Sequence, residues 1–207
     1  MIDHFSFLES RLNDLKPGEF YPVIVLKRRK DNPEMKKGCK IVYRTNIYTL
    51  NDLNETKVKI IENCRLHNAR CYVKINKRSD EKVSGELIKY VLDRHLKKEF
   101  HFAREAYDHC VGISDASETR YFLIDVDVEG ETTTPIEEAV EEIEKCLNGL
   151  KILKRMKDFP ICKLRTKNGY HVLAPGFDSK TFGETVKTFP KITMSIRKDA
   201  DTLLYLD

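Results

Sequence analysis

The run YFLIDVDV, residues 121–128, is the most strand-like stretch of the chain, and it ends on two carboxylates one residue apart. Side chains alternate across a strand, so Asp125 and Asp127 point the same way with Cα atoms about 6.6–7 Å apart. Two anions that close repel each other unless water or a cation separates them. A fold that contains this strand must therefore leave its acidic end either wet or wrapped around a positive charge.

The rest of the chain sets that strand in a mixed αβ order. Phe5, Leu8, Leu12 and Leu15 recur at helical spacing and KPG stops the helix. FYPVIVL (20–26) and KIVYRTNIYTL (40–50) read as strands around a basic loop. NDLNETKVKIIENCRL reads as a helix with an Asn or Asp cap and apolar positions at Val58, Ile61 and Leu66. ARCYVKIN (69–76) is a strand with Arg70, Tyr72 and Lys74 on one face. Residues 80–98 form an amphipathic helix through Val83, Leu87, Ile88, Val91, Leu92 and Leu96, and a further helix spans about 99–111. After the acidic strand, TTPIEEAVEEIEKCLNG carries a Thr cap, Pro135 at the first helical position and acids in the first turn. LKILKRM reads as a strand, and PICKLRTKNGYHVLAP as a hairpin about Asn168-Gly169. A short helix at 179–188 and strands at 191–197 and 202–206 complete the order. These elements predict an α+β protein of two modules, residues 1–117 and 118–207.

Composition narrows the functional class. At 41% hydrophobic and 34% charged the 207 residues are globular, and no apolar run reaches the 18 residues of a membrane span. The first residues show no basic n-region followed by an apolar h-region, so no signal peptide is expected. Six cysteines without a CxxC pair argue against a zinc site or disulfide scaffold and for reduced thiols in the cytoplasm. Net charge is only +4, but it is polarised: nine acids and no base lie between Asp125 and Glu144, flanked by the basic runs 27–40 and 151–167. Such a surface suits an anionic, metal-associated substrate.

Two further features join the acidic pair. In KLRTKNGYHVLAP, Lys163, Arg165 and Lys167 alternate with apolar or small residues, which places three cations on one strand face as a cradle for phosphate oxygens. His171 follows just past Gly169. A two-residue turn at Asn168-Gly169 would pair Thr166 with His171 and turn the histidine away from those cations. The C-terminal TLLYLD delivers a third acid, Asp207. Carboxylates on separate strands supply hard oxygen ligands for Mg²⁺ or Mn²⁺, the requirement of phosphoryl and nucleotidyl transfer. The same DxD pattern serves metal-dependent nucleases and nucleotide-sugar transferases.

The order LIDVDVE, TKNGYHV, LLYLD resembles the three-motif signature of the archaeo-eukaryotic primase (primase–polymerase) superfamily, and the second motif is similar to that of small phage- and plasmid-type members. The resemblance covers residues 120–207. It implies an RRM-like catalytic unit packed with an N-terminal αβ module, acting as a DNA primase or primase-polymerase that makes or extends primers on a single-stranded DNA template. It implies Asp125, Asp127 and Asp207 as catalytic metal ligands for Mg²⁺ or Mn²⁺, with Asp199 or Asp201 in RKDAD as alternatives for the third, because family members continue beyond that motif. His171 and Gly169 would bind the nucleoside triphosphate, with Lys163, Arg165 and Lys167 tending toward its phosphates. Arg28, Arg29, Arg70, Tyr72 and Lys74 are the expected template contacts, combining phosphate-binding cations with an aromatic. A helicase in trans is an expected partner, and no membrane is. The rival reading is a catalytically silent nucleic-acid-binding protein that serves replication as an accessory.

Overall fold

The computed structural model describes residues 1–36, 38–101, 105–128, 136–150, 160–186 and 192–207. Within them the chain is α+β, as its sequence order predicts. Two units emerge: Asp3–Thr119 with Met1 and Leu203–Asp207, and Arg120–Thr202 with Ile2. The boundary thus falls two residues later than the sequence order placed it, and residues 203–207 belong to the first unit. No helix among the described residues is long and apolar enough to cross a membrane.

The first unit holds β1 (Ile2–Asp3), α1 (Phe5–Leu12), β2 (Glu19–Arg28), β3 (Cys39–Ile47), α2 (Leu50–His67), β4 (Arg70–Lys74), β5 (Arg78–Ser79), α3 (Asp80–Leu96) and α4 (Ala106–Gly112). Its sheet runs β1-β10-β4-β2-β3, with β5 also paired to β2, where β10 is Asp201–Leu206. This explains the return of the C-terminus: Leu203, Leu204 and Tyr205 are all buried, so both faces of β10 are apolar and it sits inside a sheet. Phe5, Leu8 and Leu12 of α1 join Leu53, Ile60 and Cys64 of α2 on the Val23, Val25, Cys71 and Val73 face.

The cap of α2 differs from the sequence reading. Thr49 is the cap: its Oγ1 accepts from the Asp52 N–H while the Asp52 carboxylate accepts from the Thr49 N–H. Its buried residues are Leu53, Ile60 and Cys64. Val58 and Leu66 stand about 140° round the helix from Leu53 at 100° per residue, and they are 60% and 78% exposed. In α3 only Val83 is buried, with Leu87 and Tyr90 packed partly on Phe20 and Cys110. Ile88, Leu92 and Leu96, expected to face inward, lie on its outer side and are exposed.

One buried charge ties this unit together. Arg78 is 0% exposed; its Nε donates to the Val111 carbonyl at 2.8 Å and a terminal nitrogen donates to the Asn76 carbonyl at 3.0 Å. Arg78→Met keeps most of the volume and strips both carbonyls of this donor. Each buried acceptor left unpaired costs about 1–3 kcal/mol, so the variant should lose about 3 kcal/mol of stability in urea unfolding. A loss under about 1 kcal/mol would mean that water replaces the guanidinium at no real cost.

The second unit contains β6 (Tyr121–Val128), α5 (Ile136–Gly149), β7 (Cys162–Arg165), β8 (Gly169–Pro175), α6 (Ser179–Val186) and β9 (Ile192–Arg197). Its four strands lie in the order β7-β8-β6-β9, and every neighbouring pair is antiparallel. Ile124, Val126, Val172 and Ala174 pack under Val140, Ile143 and Leu147 of α5 and Phe182 of α6. The strand period then assigns the other face to Leu123, Asp125, Asp127, Gly169, His171 and Leu173. The Thr cap and Pro135 expected for α5, and the LKILKRM strand, lie outside the described residues.

Candidate functional site

Register brings the two sequence motifs together. On β6 and β8, Asp125 pairs with His171 and Asp127 pairs with Gly169. Directly opposed residues share a face, so both acids and the histidine project from the side of the sheet opposite α5 and α6. The Asp125 Oδ1 lies 3.4 Å from His171 Nε2, and its Oδ2 lies 3.6 Å from a terminal nitrogen of Arg197. Arg197 reaches it from β9, where it pairs with Leu123. Asp125 and His171 are largely shielded, with side chains 22% and 12% exposed, whereas Arg197 is 62% exposed and its attraction is correspondingly screened. Asp127 has no hydrogen-bond or ion-pair partner among the described residues.

Gly169 has a steric reason to be glycine. A Cβ built on it would stand 1.9 Å from the Val126 carbonyl oxygen and 3.1 Å from the Asp127 Cα. The backbone of β8 comes this close to β6 at the point where the acidic pair ends, which only a residue without a side chain permits.

The hairpin differs from the sequence reading by one position. The Thr166 N–H donates to the Gly169 carbonyl, and Arg165 pairs with Tyr170 and Leu164 with His171. The turn is therefore centred on Lys167-Asn168. Parity is kept, and Lys163 and Arg165 fall on the face opposite His171 and the acids. Lys163 binds Glu144 of α5 at 2.7 Å, which raises its pKa through that hydrogen bond. The expected phosphate cradle therefore does not assemble with His171. Arg197 is the cation on the acidic face.

The third expected acid finds its partners within the first unit. Asp207 accepts from Tyr205 Oη at 2.9 Å and Arg65 Nε at 3.2 Å, both in the first unit. Those two bonds, with the charge of Arg65, hold its carboxyl below the usual range. Strand alternation puts Asp201 and Asp207 together on the face of β10 opposite Thr202. Among the described residues no group of three or more His, Cys, Asp or Glu is placed to hold a metal ion. Among the described residues the acidic face of β6 thus offers two carboxylates. That fits an ion carried in on a polyphosphate, since Mg²⁺ commonly takes one or two carboxylates and completes its shell with phosphate and water. It does not fit a cage built from protein alone.

The expected template contacts lie in the first unit. Arg28 donates to the Tyr72 hydroxyl at 3.0 Å, and Arg29 is exposed at the start of the 29–38 loop. Arg70 differs from the expectation of an open phosphate ligand: both ends of its guanidinium are held by the Asp31 carboxylate, and it is 7% exposed. The pair pins the loop to β4, aided by Asn32, which donates to the Arg28 and Asn68 carbonyls. Tyr72 and Lys74 share the Arg70 face of β4.

Sequence reasoning missed Thr202 and Arg197. Thr202 Oγ1 lies 2.9 Å from His171 Nδ1 and is completely buried. Its signal was a lone polar residue at the start of the apolar run LLYL. Arg197 carried none, because β9 faces are assigned only by pairing with β6. No family model matches this chain, and no curated protein or solved structure matches it either.

Proposed function

We propose that this chain is a metal-dependent nucleotidyltransferase of the primase–polymerase type, acting on nucleoside triphosphates at a single-stranded DNA template. The observation that carries the reading is the cross-strand pairing of Asp125 with His171 and of Asp127 with Gly169. Further support comes from topology. The described order β6-α5-β7-β8-α6-β9, with strands arranged β7-β8-β6-β9, is compatible with the βαββαβ plan expected of an RRM-like unit.

On this reading Asp125 and Asp127 would hold Mg²⁺ or Mn²⁺, which would supply charge neutralisation at the phosphates of the incoming nucleotide. His171 Nε2 donates to a phosphate oxygen, and Arg197, sufficiently exposed to swing, exchanges Asp125 for the same tail. Gly169 keeps β8 close enough to β6 to hold histidine and acids in one geometry. Arg28, Arg29, Tyr72 and Lys74 track the template, while Arg70 orders the loop through Asp31.

Binding without turnover is the second reading, favoured by one observation: among the described residues the acids form a pair, not a trio. Incubation of the protein with labelled nucleotides, single-stranded DNA and either metal distinguishes the two. Template-dependent product that disappears on chelation supports the enzyme. Retained DNA binding with no product under either metal transfers the assignment to the accessory role. The same experiment with a helicase added tests whether such a partner stimulates synthesis.

A further inference from the structure

We propose that Thr202 is a positioning residue for His171: its hydroxyl donates to Nδ1 and so keeps the ring proton on Nε2, directed at Asp125. The inference builds on the site described above and adds a residue to it. Thr202 Oγ1 is 2.9 Å from Nδ1, and the residue is 0% exposed. Among the described residues the imidazole is the one hydrogen-bond partner of its hydroxyl. A buried hydroxyl must satisfy its hydrogen, and an unprotonated Nδ1 is the acceptor in reach.

The opposite ring nitrogen fixes the direction of that bond. Nε2 faces the Asp125 carboxylate at 3.4 Å. A lone pair there would oppose a negative charge, whereas an N–H is attracted to it. In the neutral ring a proton on Nε2 leaves Nδ1 as acceptor, so Thr202 must be the donor. The hydroxyl thereby does for this histidine what outer partners do for metal-binding histidines: it sets the tautomer and the ring plane.

Nitrogen NMR of the full chain labelled with ¹⁵N-histidine, at about pH 8.5, well above the ordinary histidine value of about 6.5, tests this directly. In the wild type the His171 Nδ1 resonance should be that of an unprotonated nitrogen accepting a hydrogen bond. Thr202→Val, which preserves shape, should move it to the position of a free acceptor, and Thr202→Ser should restore it. A proton found on Nδ1 in the wild type overturns the proposal without any variant. So does an Nδ1 resonance unchanged in a folded Thr202→Val protein. On the nucleotidyl-transfer reading, kcat/KM for nucleotide should fall about tenfold in Thr202→Val, the lower end for losing an outer-sphere partner, and recover in Thr202→Ser. If the wild type makes no product while the resonance still responds to Thr202→Val, the positioning role stands and the reaction assigned to the site falls.

Discussion

Asp125→Asn should lower template-directed incorporation by about 10²–10³-fold, the usual loss when one preorganised electrostatic element is removed from a transition state. The substitution keeps shape but removes the charge that would hold the proposed cation and that faces His171 and Arg197. The cost to folding through His171 and Arg197 should be small, because Asp125 is partly exposed and those distances, 3.4 and 3.6 Å, are long for strong ion pairs. Asp127→Asn should give a loss of the same order with still less effect on stability, having no partner among the described residues to lose. Single-turnover incorporation and urea unfolding on the same preparations separate the two effects. A variant at Asp125 that keeps more than about a tenth of wild-type activity would remove this carboxylate from the chemistry.

Gly169→Ala should destabilise the second unit by about 4 kcal/mol or more, beyond the 1–3 kcal/mol of ordinary overpacking. The added carbon would sit 1.9 Å from the Val126 carbonyl oxygen. Its neighbour is backbone within a sheet, which cannot swing aside as a side chain could. Relief requires β8 to move off β6, and that separates His171 from Asp125 as well. Nucleotide incorporation should therefore be lost even where some fold survives. Hydrogen exchange of the β6 and β8 amides measures the strand separation. An alanine variant with wild-type protection there would show that the two backbones are not in close approach.

The sheet of the second unit was legible in sequence because its strands are short and punctuated: Tyr121–Val128, Cys162–Arg165 and Gly169–Pro175 fall where alternation puts them, although Gly169, expected in the turn, opens β8. The opposed placement of His171 and the Lys163/Arg165 pair followed from parity alone, and it survives a turn one residue earlier than expected. What could not be read was anything set by partners distant in the chain. Arg70 looks like an open cation until Asp31 is brought to it by the loop. Val58 and Leu66 look like core until the inward line of Leu53, Ile60 and Cys64 is known. Leu203, Leu204 and Tyr205 advertise a strand without saying which sheet receives it. Asp207 reads as a third acid, yet Arg65 and Tyr205 hold it in the first unit.

Water-proton relaxation in the presence of Mn²⁺ and a nonhydrolysable nucleoside triphosphate tests most directly whether the paired acids of β6 grip a divalent ion. Wild-type protein should enhance relaxation as the Mn²⁺–triphosphate complex binds and tumbles slowly, and the Asp125→Asn, Asp127→Asn double variant should weaken that binding at least about tenfold, or roughly 1.4 kcal/mol. Equal enhancement by wild type and double variant, with both proteins folded, would contradict the account.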